Sequence, residues 1–323
     1  MRFKYPLIIL CCSLFFSSTA LAGVDLSIGG GYLAGDTQYQ IGGHTVFADG
    51  SSENIHFPLS ELIFPLDSYV VKGQVDIDFA HKWGLMFSAE TNLTDDSGNM
   101  EDSDWGIHVG SPTDQLDVYS ESDTDMEMHA FEGKLTYQLY QGYYGETALN
   151  SGTGNSDIVF SYTAGLGYKY QKYDFDVYDL DQWYPSAPNA PHDYVDGLAL
   201  TYEAEYQIPY LELGMKMSAY EKFLLELSVA YAPYVAFKDK DQHLLRGKVN
   251  IADHGWDGDA LMVNLNMRYY IAGDWYLQAD FEALEIQSEG KTKSYLNGVW
   301  NHTVEHEIIS HQYRSYLMLG YSF

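Results

Sequence analysis

From about residue 24 onward, stretch after stretch of this 323-residue chain alternates apolar and polar side chains with a period of two. A strand is the conformation whose successive side chains point to opposite faces. Trp83, Leu85, Phe87 and Ala89 fall on one face, and Lys82, Met86, Ser88 and Glu90 on the other. Leu261, Val263, Leu265, Met267, Tyr269 and Ile271 oppose Asn264, Asn266 and Arg268, while Trp275, Leu277, Ala279 and Phe281 oppose Gln278, Asp280 and Glu282. Such a wall either buries its apolar face in a soluble sandwich or turns that face to lipid around a polar lumen. Local alternation does not separate the two.

The ends of the chain do. Arg2 and Lys4 precede an apolar run from Pro6 to Phe16 and then Ala20-Leu21-Ala22, which reads as a secretory signal peptide over residues 1–22. Both cysteines, Cys11 and Cys12, lie inside it, so residues 23–323 hold no thiol for a disulfide, a nucleophile or a thiolate metal site. No run of about 18 apolar residues is present to form a membrane helix. Tyr313, Leu317, Leu319 and Tyr321 alternate with Arg314, Met318 and Ser322 up to a terminal Phe323. An amphipathic last strand ending on an aromatic residue resembles the insertion signal of bacterial outer-membrane barrels. The 29 tyrosines suit membrane interfaces. The net charge of −29 repels nucleic acid.

The expected fold is therefore all-β: one transmembrane antiparallel barrel of about ten strands over residues 23–323, in the Gram-negative outer membrane. The alternation predicts strands near 24–40, 56–79, 82–95, 116–140, 157–180, 198–217, 222–245, 257–272, 274–295 and 303–323. An even count puts both termini on the periplasmic side, with short turns at 80–82, 218–221 and 272–274. Stretches rich in Asp, Gly, Ser and Asn are then the longer outer loops. Several strands exceed the ~9–11 residues needed to cross a bilayer, so the barrel projects beyond it. In the sixth strand the apolar phase moves from Tyr202, Ala204, Tyr206 and Ile208 to Leu211, Leu213 and Met215, which predicts a bulge at Pro209. In the seventh, Phe223 to Tyr231 share their parity with Asp241 and His243, so those two face the lumen only if the strand bulges or bends near Pro233.

Asp241 and His243 matter because i and i+2 share a face of a strand, placing a carboxylate beside an imidazole as an orienting group beside a general base. Asp102 and Asp104 repeat the spacing between the third and fourth strands, in a stretch reading Gly98-Asn99-Met100-Glu101-Asp102-Ser103-Asp104-Trp105. In a ring of ten the two connections stand almost opposite, so water held between the pairs has a base on one side and carboxylates on the other. That suits hydrolysis without covalent attachment. Other motifs fall short. His306 and His311 are one residue too far apart for a helical zinc motif and lie in a predicted strand, where they point oppositely. Asp95 to Asn99 lacks the terminal Glu of a calcium loop. Gly29-Gly30-Gly31 has no following helix and is read as easing strand curvature.

These residues carry a resemblance to the omptins, ten-stranded outer-membrane endopeptidases: Gly98-Asn99-Met100, Asp102, Asp104 and Trp105 in one loop, Asp239, Asp241 and His243 in another, and the YQIPYLELG of Tyr206 to Gly214. The resemblance implies an aspartic-type endopeptidase in which Asp102 and His243 activate water, Asp241 orients His243, and Asp104 supports Asp102. Asp239 would match an acidic residue that receives a basic substrate side chain. The second acidic pocket residue is expected near Tyr39, where no carboxylate stands. It further implies an extracellular peptide or protein substrate, a surrounding of outer-membrane lipid, a lipopolysaccharide requirement, and no metal. The chain is also similar to the Protochlamydia-type outer-membrane proteins, through Leu244 to Lys248 and Asp181 to Pro185. That likeness implies a non-enzymatic porin, adhesin or structural barrel.

Overall fold

The computed structural model describes residues 21–108, 110–144, 158–220 and 222–323. The expected signal peptide lies outside them up to residue 20. Twelve antiparallel strands form one closed sheet: β1 (Leu21–Phe47), β2 (Ser52–Pro65), β3 (Ser68–Phe79), β4 (Trp83–Asn92), β5 (Asp96–Trp105), β6 (Leu116–Tyr144), β7 (Ile158–Trp183), β8 (Asp193–Ala219), β9 (Phe223–His243), β10 (Lys248–Ala272), β11 (Trp275–Leu296) and β12 (Val299–Ser322). Strands β2 and β3 occupy one wall position, broken at residues 66–67, and both pair with β1. Strands β4 and β5 share another, broken at residues 93–95, and both pair with β6. Because β12 pairs with β1, the ring closes through ten wall positions, as the alternation predicts.

The end that holds the start of β1 and the end of β12 carries the short turns at residues 80–82 and 273–274. The opposite, distal end departs from expectation. Among the described residues, long connections there are confined to those between Trp105 and Leu116 and at 184–192, and β11 and β12 are joined by residues 297–298. The polar stretches expected as outer loops are mostly strand, and β6 runs for 29 residues. Their sequence hides this because the inward residues are small and polar: Ser120, Ser122 and Thr124 are buried while Asp123, Asp125 and Glu127 face out. Barrel closure supplies the hydrogen bonds that intrinsic strand preference does not.

Near the terminal end, Ile28, Phe87, Phe131, Leu166, Leu211, Leu213, Val229, Leu261 and Leu317 form an exposed apolar belt. At the same height the lumen is filled by ion pairs. Arg314 contacts Glu282 at 2.9 Å and Glu90 at 3.4 Å, and Lys134 contacts Glu212 at 2.9 Å. Arg268 bridges Asp25 and Asp76 at 2.7 and 2.6 Å, and Lys72 reaches Asp280 at 3.3 Å. Lys169 joins Glu132 and Glu282 into the same network. Above the belt the polarity inverts, and Tyr39, Phe64, Phe175, Tyr202, Tyr206 and Phe237 pack inside as in a soluble core. The solvent outside the wall decides which face is apolar: lipid below, water above.

This inversion corrects the expected bulge at Pro209. Even-numbered residues of β8 point inward from Leu200 through Glu212, and the pairing with β7 runs unbroken through Tyr168 and Pro209. The apolar residues change face; the strand does not change register. The irregularity sits instead on β9, where Ala230 and Ala232 point in, Pro233 and Tyr234 both point out, and Val235, Phe237, Asp239 and Asp241 then point in. The pairings on both sides slip at that place, between Gln207 and Leu211 of β8 and around Gly258 of β10. The bend expected near Pro233 is thus present.

Candidate active site

The β9 bulge delivers Asp241 and His243 to the lumen above the apolar belt. Asp241 is 1 % exposed, and its Oδ2 receives two hydrogen bonds: from His243 Nε2 at 2.9 Å and from Asn250 Nδ2 at 2.8 Å. Burial works against this carboxylate, but His243, Lys248 and Asn250 together outweigh it and hold its proton affinity below the ordinary range. With Nε2–H committed to Asp241, the basic nitrogen of His243 is Nδ1. The His243 side chain remains 16 % exposed, so water reaches it.

Asp102 and Asp104 lie in strand β5 and not in a loop, a second correction. Asp102 pairs with Leu62 of β2 on one side and Ser120 of β6 on the other, which holds it rigidly. Its Oδ1 is buried without a hydrogen-bond partner. Burial first, then the Asp104 charge, raises the Asp102 carboxyl to about 7, against the opposing pull of His243 and Arg246. Charges on β9 and in the turn after it therefore act directly on a carboxylate of β5, across the mouth of the barrel. Asp102 and Asp104 share β5, Asp241 and His243 share β9, and the charges of the β9 pair reach the Asp102 carboxyl.

Asp239 lies one rung deeper than Asp241, with its side chain wholly out of water. Tyr39 fills the place where a second acidic residue was expected; it is 1 % exposed, with its ring edge-on to Tyr202 at 5.9 Å and 4.4 Å from the His306 ring. His306 points inward and His311 lies on the other face, where it contacts Asp36, so the two do not chelate. Spacing missed three residues. Asn250 was legible in principle, since a hairpin that pairs His243 with Lys248 must pair Asp241 with Asn250. Arg246, in the turn, was signalled only as a cation beside the histidine. His306 comes from β12 and has no local signal.

A closed β-wall with an exposed apolar belt, a charged lumen and a carboxylate–histidine pair above that belt defines an outer-membrane-type barrel. The sequence matches the Omptin family across residues 23–321, and the chain belongs to that family. The crystal structure of the outer-membrane protease OmpT from Escherichia coli superposes with a TM-score of 0.75 at 18 % identity, covering 95 % of this chain and 99 % of that one. The outer-membrane protein OprG from Pseudomonas aeruginosa matches with a TM-score of 0.38 at 14 % identity, over 94 % of this chain and 97 % of that one. No curated protein sequence matches.

Proposed function

We propose that the chain is an outer-membrane endopeptidase that hydrolyses peptide bonds at its extracellular mouth with water held between Asp102 and His243. The observation that carries this is the pairing of an imidazole, oriented by the buried Asp241, with a carboxylate of raised proton affinity on the facing wall. Water between them gives one proton to Nδ1 of His243. Asp241 stabilises the imidazolium that forms, and Asp102 holds the water's other hydrogen as the oxygen attacks the carbonyl carbon. His243 then returns the proton to the departing amine. Asp104, by its charge, keeps Asp102 a strong acceptor. The ion pairs that fill the lumen support this reading over a diffusion pore.

The test is cutting of unstructured peptides by refolded protein with lipopolysaccharide present. His243→Ala is expected to lose ~10²–10⁴ of the rate while remaining a folded barrel. Equal cutting by His243→Ala and the parent would end the proposed mechanism, and no cutting by either would leave an adhesin or structural barrel.

A further inference from the structure

The carboxyl of Asp239 is fully engaged. Oδ1 accepts the Ala252 amide at 3.1 Å, and Oδ2 accepts the Tyr202 hydroxyl at 3.2 Å. Nε2 of His306, buried and without a hydrogen-bond partner, stands 3.4 Å from the same Oδ2. The far side of that ring continues the chain: His306 Nδ1 is 2.8 Å from His254 Nε2, and His254 Nδ1 is 2.9 Å from Ser288 Oγ.

Asp239 and Asp241 are two buried carboxyls on one face of a strand, and His243 and Asn250 favour the charge on Asp241. A proton on Asp239 leaves one anion in place of two. It also lets every polar group in the row be used once: Asp239 donates to His306 Nε2, His306 Nδ1–H to His254 Nε2, and His254 Nδ1–H to Ser288. Burial pushes His254 down to about 4 and His306 well down, so neither ring supplies a cation for an ionised Asp239. Burial and the Asp241 charge push the Asp239 carboxyl well up.

We propose that Asp239 is a neutral, hydrogen-bonding floor residue, and that the cleft, closed beneath by Tyr39, selects peptide bonds preceded by a small uncharged side chain and not by a basic one. The selectivity rests on the endopeptidase reading. Tyr39 pairs with Leu62, which pairs with Asp102, and Tyr202 pairs with Asp241, so an aromatic ring stands at the rung of each acting carboxylate. Phe64 stacks on Tyr202 at 4.3 Å and backs the floor. A long cationic side chain would meet these rings, and beyond them a carboxyl whose two oxygens are already taken.

The proposal is tested by profiling the refolded full chain with lipopolysaccharide on a peptide library, alongside Tyr39→Ala and Asp239→Asn. The parent is expected to cut after Gly, Ala, Ser or Thr. Tyr39→Ala should raise cutting after Leu or Met, relative to Ala, by about tenfold or more, the scale of added methylenes in a pocket. Asp239→Asn should leave the preference among side chains unchanged. A parent preference for Lys or Arg that Asp239→Asn removes would overturn the inference while leaving the endopeptidase standing. Infrared spectra at neutral pH read the floor independently of activity: a protonated-carboxyl band present in the parent and absent from Asp239→Asn is expected, and no difference overturns the neutral acid. If nothing is cut by any variant, the endopeptidase reading falls and takes the selectivity with it, while the infrared band still decides the state of Asp239.

Discussion

A single residue, Asp104, sets how strongly its neighbour holds a proton. After burial, its charge is the largest cause that lifts Asp102 to about 7. In the proposed mechanism Asp102 acts on water as an anion, so cutting should decline as pH falls below about 7. Asp104→Asn removes one like charge and is expected to move that decline to lower pH, read as the midpoint of the acid limb of kcat/KM. The same shift has a stability consequence of fixed sign. A carboxyl raised on folding binds its proton more tightly in the folded state, so it weakens the fold progressively as the pH rises from the unfolded value of 3.8 to the folded value of about 7, fully above that, and not at all in acid. Asp102→Asn should therefore raise the thermal midpoint at pH 8 and leave it nearly unchanged at pH 4; equal effects at both would contradict the burial of Asp102. The residue types and their i, i+2 spacing were legible in the sequence. Asp102's unusual proton affinity was not, because it depends on charges from β5, β9 and the turn at Arg246.

Among the elements, β9 decides whether the site exists. Lipid fixes the phase of its lower part, with Leu227, Val229 and Tyr231 outward, and the water-facing part obeys the opposite parity, with Asp239 and Asp241 inward. Pro233 and Tyr234, both outward, absorb the change; Pro233 has no amide hydrogen to lose from the ladder. Deletion of Tyr234 removes the extra residue and is expected to turn Asp241 and His243 toward solvent. The variant should insert and keep its β-type circular dichroism but lose cutting to the level of His243→Ala; retained activity would mean that register recovers elsewhere. The sequence exposed this conflict of parity and pointed to Pro233. It misled at Pro209, where a change in the medium outside the barrel looks like a change in register.

At the scale of the whole molecule, the ion-paired lumen locks the lower barrel and leaves the upper half to hold the cleft. Arg314 is 3 % exposed and faces Glu90 and Glu282. Removing one partner of a buried pair costs about 3–5 kcal/mol because the remaining charges are stranded. Arg314→Ala should thus lower the urea midpoint of unfolding, and a double change of Arg314 and Glu282 to apolar residues should recover part of the loss. Planar bilayers containing the protein are expected to show no stable conductance, since Lys72, Lys134, Lys169, Arg268 and Arg314 are all ion-paired within the lumen; a steady open channel would require that network to be loose in the membrane.

The sequence by itself determined the wall: period-two alternation, the ring of ten and the inward phase of Asp102 follow from local geometry that every strand obeys. It also determined the chemistry available at the mouth, because Asp-x-Asp and Asp-x-His each place two groups on one face whatever surrounds them. Only the tertiary structure decided that charges of β9 reach Asp102 on β5, that the Ser- and Asp-rich stretches are strand, and that Asp239 is held by Tyr202 from β8, Ala252 from β10 and His306 from β12. Those outcomes depend on which strands a closed ring makes neighbours and on which solvent lies outside each part of it. Neither is written in any short stretch of residues.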